Sequence, residues 1–434
     1  MRNKVLTAVL FGVLLFGWIV MQGATARQTK PGIPIYTTEF TLRRAGEVQL
    51  DLAAAAPGCD WAKKDAEAAV VTVYMDDTPN QEIVLYRGSE SAVYPVFLGP
   101  LNAGKHTLRV EFRPDLSAKQ AQPAVVKDAK VTLRDTSDEE KMVWAHAPLL
   151  YGRPENNRSD VPLLCYYERT ETPDEWRISY TLIWSNEDGG TNTPSLLARW
   201  GRTTDIEWLY SVHLSKATGE ITKATYQGFA HQTLGFMGER RGKHPLLKTV
   251  TANNMVADRG ESPLLFAVAP LRTLNPEKEP REAVMDAFPW SYTVAAKEME
   301  REGKWETPGN AETLEPSDIR NYLHVGYRAS VENARLAVEV RLKNGMVCSS
   351  DHGRTANAID RSGWIRTTVE LPPGTTAADI AGVTFVRRDN NETGSATVTA
   401  ANAFLLQEDY RPAKPFLNWS GQGRVTVGKP FAPK

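Results

Sequence analysis

Asp205 and Glu207 are the residues on which chemistry could be built. They lie in the stretch Arg199–His213, R-W-G-R-T-T-D-I-E-W-L-Y-S-V-H, which reads as one β-strand. Strand side chains alternate, so Ile206, Trp208, Tyr210 and Val212 share one face and Asp205, Glu207, Leu209, Ser211 and His213 the other. Acids two apart point the same way, about 7 Å from each other along the strand. Such a pair suits a hard divalent cation, or acid–base work, or a polar face whose acids pair with Arg199 or Arg202. A Ca²⁺ or Mg²⁺ ion takes about six or more oxygens. The missing ligands would come from the loop E-D-G-G-T-N-T-P (Glu187–Pro194), through Glu187, Asp188 or Asn192, or from His213 or His231. The expected metal set is Asp205, Glu207 and Asp188. Arg202, Trp208 and His213 are the side chains expected to touch a bound ligand.

Other catalytic patterns are weak. There is no G-x-S-x-G, no H-E-x-x-H and no phosphate loop. G-F-M-G-E-R-R-G (Gly235–Gly242) does not join a strand to a helix as a phosphate cradle must, and Ser349-Ser350-Asp351-His352 reads as a surface turn. T-T-D-I-E-W resembles the E-x-D-x-E strand of laminarinase-type glycosidases, in which the two outer acids are nucleophile and acid/base. A retaining mechanism needs two carboxyls about 5 Å apart. Thr203 stands where the nucleophile belongs, so hydrolysis with Asp205 and Glu207 would require a partner acid from another strand.

Those residues must be held by strands. From 36 to 134, runs such as V-Q-L-D-L (Val48–Leu52) and V-V-T-V-Y-M (Val70–Met75) are separated by turn residues, and Leu108, Val110 and Phe112 point inward after an N-A-G-K turn. The charged segment Asp135–Lys141 reads as a linker. The second unit, 142–296, holds the long strand Trp176–Asn186 and the acid-bearing stretch. Val294–Gly303, rich in helix formers with a closing glycine, is expected to be a short helix. After a linker at Pro308–Pro316, the third unit, 317–406, carries five further strand candidates. The tail 407–434, with four prolines, is expected to be extended. The expected fold is all-β, with three consecutive β-sandwich, jelly-roll-like domains and few short helices.

The N-terminus points to export. Arg2 and Lys4 precede an apolar run, Val5–Met21, and then Ala24-Thr25-Ala26. This is the pattern of a signal peptide, 1–26, cleaved after Ala26. The run is also long enough to act as an uncleaved anchor. Otherwise membrane contact is expected to be peripheral. Net charge is −1 and no basic stripe is interleaved with aromatics, which argues against nucleic acid. The mature chain holds three cysteines, Cys59, Cys165 and Cys348, widely spaced. An odd number in separate units favours neither a disulfide framework nor a zinc site.

The central unit resembles the necrosis-inducing-like proteins and the related vacuolar-protein-sorting-like domain. H-A-P-L-L-Y-G-R-P (His146–Pro154) is similar to that family's opening, Tyr180–Gly190 to its strand and turn, and G-R-T-T-D-I-E (Gly201–Glu207) to its G-H-R-H-D-W-E heptad. The resemblance implies a strand-borne divalent-metal site with Asp205 and Glu207 at the acid positions. Arg202 and Thr204 replace the two histidines and Ile206 the tryptophan. The flanking units resemble carbohydrate-binding-type jelly rolls. The resulting expectation is a secreted or periplasmic protein that binds a glycan or glycolipid head group. A polysaccharide hydrolase and a purely structural envelope protein are the alternatives. Eleven tryptophans and fourteen tyrosines supply aromatic surface for sugar stacking or for the core.

Overall fold

A computed structural model describes residues 30–134, 137–187, 189, 191–305, 315–389 and 393–433. The signal-peptide segment 1–26 and Asp188 lie outside the described residues. The fold is all-β with few helices, and its strands form three sandwiches.

In the first sandwich one sheet runs in the order Ile33–Leu42, Gly104–Phe112, Ala69–Met75, Thr78–Leu85. It faces a second sheet in the order Ala92–Leu101, Gly46–Ala55, Val125–Leu133, and all pairs are antiparallel. Leu108, Val110 and Phe112 are buried, as their alternation requires.

The central unit stacks a six-stranded sheet in the order Thr233–Gly235, Ile221–Gln227, Ile206–Ser215, Glu175–Trp184, Pro162–Glu171, Pro270–Thr273. A smaller sheet joins Arg240–Arg241, His244–Thr249, Leu149–Tyr151 and Leu265–Phe266. Two pairs are parallel, His244–Thr249 with Leu149–Tyr151 and Pro270–Thr273 with Pro162–Glu171. The stretch 199–213 is not one strand, contrary to its alternation. Asn192 caps a helix, Thr193–Trp200, by accepting from the Ser195 N–H, with Pro194 in the first turn. Gly201 then closes it in the left-handed region at φ 62°. The strand itself begins at Ile206. Its register on Glu175–Trp184 passes from Trp208 opposite Thr181 to Tyr210 opposite Tyr180, so Leu209 forms a bulge. Leu209 and Tyr210 are therefore both buried, and the facing reverses partway along the strand.

One expected linker is helical: Asp138–Ala145 is a helix capped by Ser137. The helix expected over Val294–Gly303 spans Trp290–Arg301, with Gly303 beyond it at φ 64°.

The third sandwich pairs the sheet Gly363–Glu370, Tyr322–Glu332, Ser395–Leu405, Leu417–Val425 with the sheet Val347–Ser349, Leu336–Leu342, Ile380–Arg387. The expectation of an extended tail over 407–434 is corrected here. Leu417–Val425 is a full strand along Ser395–Leu405, and its four neighbouring prolines flank it rather than interrupt it. Buried residues of the first two units form one continuous core, joined by Ile319, Tyr322, Phe404 and Leu406 of the third, while the rest of the third sandwich has its own. All three cysteines are free.

Candidate functional site

The structure brings Asp205 and Glu207 together but seals the first of them. Asp205 is fully buried. Its Oδ2 accepts from Asn254 Nδ2 at 3.0 Å, and the same nitrogen reaches Asp160 Oδ1 at 3.0 Å. Arg153 Nη2 donates to the other Asp160 oxygen at 2.8 Å. Burial, together with the neighbouring charge of Asp205, pushes the Glu187 carboxyl up to about 8. Glu187 is thereby pushed toward its protonated form. Burial also raises Asp205, against the pull of Arg202. Glu207 is raised by burial and by Asp205, while Gln227 Nε2 donates to it at 2.6 Å and His231 Nδ1 lies 3.8 Å away.

Two arginines answer these acids. Arg202, buried, donates through Nη1 to the Thr204 carbonyl, and its Nε lies 3.5 Å from Glu282. Arg281 donates to the Ile206 carbonyl at 3.2 Å, and its charge acts on Glu207 and Asp205. Asp160, Asp205 and Glu207 thus each have side-chain partners within the protein, while Asp205 Oδ1 and Glu187 Oε1 are buried without one. Among the described residues, no group of three or more His, Cys, Asp and Glu is arranged to hold a metal ion. A polysaccharide could not reach Asp205 without unfolding the strand end.

The expected ligand-contact residues do not converge. Arg202 belongs to the buried cluster. Trp208 is half-buried opposite Thr181. His213 stands farther along the strand, its Nδ1 3.2 Å from Glu175 Oε2. Arg199 turns away from the acids and bonds the third sandwich, through Nη1 to the Ala356 carbonyl at 2.8 Å and through Nη2 to Asp360 at 3.0 Å.

A second polar network continues from the first. The Asp160 backbone N–H donates to Glu298 Oε1 at 2.6 Å, and Trp61 Nε1 donates to Glu298 Oε2 at 3.1 Å. Burial, against the pull of Arg301, pushes the Glu298 carboxyl up to about 7. This network ties the first sandwich to the helix Trp290–Arg301.

Above that junction lies an open cleft of about 750 Å³, which sequence reasoning missed. Its walls come from all three units: Asp60, Lys63 and Arg87 from the first sandwich, Trp290 and Lys297 from the helix, and Arg411 from the segment between the strands Ser395–Leu405 and Leu417–Val425. Trp290 stacks on Tyr86, ring centroids 5.8 Å apart, and the Arg87 guanidinium lies over the same indole at 5.3 Å. Asp60 accepts from Lys297 Nζ at 3.1 Å and lies 3.7 Å from Lys63 Nζ. Thr293 Oγ1 donates to the Asp409 carbonyl at 2.8 Å, which anchors the third wall. No local motif could reveal a site whose walls are more than 300 residues apart in sequence, from Asp60 to Arg411.

No family model and no curated protein sequence matches this chain. Among solved structures, the alpha toxin from Clostridium absonum aligns with a TM-score of 0.21 and 13% identity, over 32% of this chain and 38% of that one. The chain thus matches little more than a third of the toxin's length. The EclA C-terminal domain, a sugar-binding protein, aligns with a TM-score of 0.18 and 16% identity, over 30% of this chain and 100% of that one. At these scores neither likeness bears on function.

Proposed function

We propose that this chain is an exported β-sandwich protein that binds a glycan in the cleft between the first sandwich and the helix Trp290–Arg301. The observation that carries this reading is the cleft itself. It is about 750 Å³ in volume, within the range of small-molecule sites, and it sets an aromatic pair beside a rim of charged and amide side chains. A sugar presents hydroxyls for such polar groups and an apolar C–H face for an indole. Export rests on the pattern of residues 1–26. The buried acids are a structural element in this reading, and Asp205 and Glu207 take no part in hydrolysis.

The test is a glycan array probed with the chain beginning after Ala26, followed by calorimetry on the sugars retained. Binding should weaken in Trp290→Ala and in Lys63→Ala, a substitution at an exposed residue that leaves the core untouched. It should be unchanged in His213→Ala. Retention of no sugar, or retention indifferent to both cleft substitutions, would overturn the proposal.

A further inference from the structure

We infer, on the reading of the cleft as a saccharide site, that its ligand is an acidic sugar whose carboxylate or sulfate is received by Arg87. The charges on the walls are unevenly matched. Lys297 and Lys63 share Asp60, at 3.1 and 3.7 Å. Arg411 pairs with Asp409 at 3.3 Å. Among the described residues Arg87 has no carboxylate within ion-pair distance. Glu90, the remaining acid on the walls, is exposed, and no ion pair joins it to Arg87.

Arg87 is nevertheless held in place. Its backbone N–H donates to the Tyr94 hydroxyl at 3.1 Å, and its guanidinium rests over the Trp290 ring. Tyr86 and Tyr94 pack edge-to-face beside it, centroids 5.3 Å apart. A guanidinium fixed on an indole keeps its planar fork of donors, which fits a carboxylate or sulfate in two parallel hydrogen bonds. The stacking also limits the side-chain freedom lost on binding. A neutral sugar would leave that cation unanswered inside a half-enclosed site. An acidic one would complete it and still present its ring to the neighbouring aromatic and amide groups.

The experiment measures affinity of the chain after Ala26 for three probes of equal length: a galacturonic acid hexasaccharide, the same oligomer with its carboxyls reduced to alcohols, and a sulfated galactan hexasaccharide. At low salt an acidic probe should bind about tenfold or more tighter than the reduced one, the scale expected of one charge-assisted bidentate contact. The margin should shrink as salt is raised, disappear in Arg87→Gln and widen in Glu90→Gln. Preference for the uronate identifies a carboxylate ligand and preference for the galactan a sulfate, and either supports the inference. Equal binding of acidic and reduced probes, with Glu90→Gln neutral, overturns the inference and leaves the saccharide reading intact. Binding of none of the three overturns the inference, and the glycan array then decides the saccharide reading. Thermal melts of each variant separate lost recognition from lost folding, and Glu90→Gln, at an exposed rim position, keeps the test decisive if Arg87→Gln proves unstable.

Discussion

Asn254 is bonded to Asp205 through its side-chain amide, Nδ2 to Oδ2 at 3.0 Å, and both residues are fully buried. Asn254 sits in the left-handed region at φ 49°, as does Asp160 at φ 51°, the second carboxylate that the same nitrogen reaches. Asparagine tolerates that backbone better than most residues. Asn254→Ala should therefore lose about 2–4 kcal/mol, by removing the donor to two buried carboxylates and by forcing alanine into the left-handed region. Urea unfolding measures it. A loss below about 1 kcal/mol would mean that water replaces the amide and the cluster is wetter than its burial indicates.

Arg202 and Arg281 are the cations that act on the acids at this strand end. A cation that binds only the folded state raises the melting midpoint with concentration. After EDTA treatment, added Ca²⁺ or Mg²⁺ should leave the midpoint where it was. A rise that vanishes in Asp205→Asn/Glu207→Gln would show that a cation enters the cluster, and would return the strand to the metal-binding reading that its likeness to G-H-R-H-D-W-E implies.

The class of the fold was legible because strand alternation is local. Val48–Leu52 and Leu108–Phe112 announce their faces without help from elsewhere. The stretch Arg199–His213 departs from its alternation for a local reason too. Alternation survives across a helix end and a turn, and only N-T-P at 192–194 with Gly201 marks the helix before the strand. The bulge at Leu209 is set by the partner strand, so nothing in the stretch itself shows it. Asp205 lies just before the strand and Glu207 within it, so the two acids do not share the strand face that alternation predicts. Their burial was hidden, because Arg281 and Asn254, which answer Asp205, arrive from segments about 50 residues or more downstream.

Stability should fall as pH rises from mildly acid to mildly alkaline. Glu298 and Glu187 have carboxyls raised on folding, to about 7 and about 8, chiefly by burial. Below the unfolded value of about 4.5 each is neutral in both states. Between there and the raised value the unfolded chain gives up a proton that the folded chain keeps, so stability drops with pH across that window. Glu302, lowered by its lysine and serine partners against burial, acts oppositely at the acid end. Glu298→Gln should melt lower at every pH, because an amide cannot accept from both Trp61 and Asp160 without opposing a donor to one of them. Its midpoint should also decline less between about pH 5 and pH 7 than that of the wild type. Equal slopes in the two proteins would refute the assignment of the proton to Glu298.

The helix Thr193–Trp200 links the central unit to the third sandwich. Thr367 and Thr368 donate to its Ala198 and Leu197 carbonyls at 2.5 and 3.0 Å, and a Cβ on Gly201 would lie 2.4 Å from Arg366 Cγ. Arg366 cannot simply retreat, since Nη2 is bonded to Asp286 at 2.6 Å and its guanidinium lies over Phe404. Gly201→Ala should cost about 1–2 kcal/mol from the backbone alone, and more from the contact. Limited proteolysis should then release the third sandwich earlier than in the wild type. Unchanged proteolysis would show that the interface tolerates separation at this point.

Ending the chain after Lys414 tests whether the C-terminal segment is tail or sheet. That truncation keeps Asp409 and Arg411 on the cleft but removes Leu417–Val425 and Phe431. Val425 is fully buried, while Leu417, Trp419 and Phe431 pack against the core of the third sandwich. Phe431 also bridges Phe385 by paired backbone hydrogen bonds at 2.7 and 3.0 Å, which joins the two sheets at that end. Without the strand, Ser395–Leu405 becomes an edge with unpaired backbone groups above an opened core, the arrangement that invites strand-to-strand aggregation. The truncated chain should elute as oligomers in size exclusion and lose the thermal transition of the third sandwich. A dispensable tail would leave a monodisperse protein with an unchanged melt.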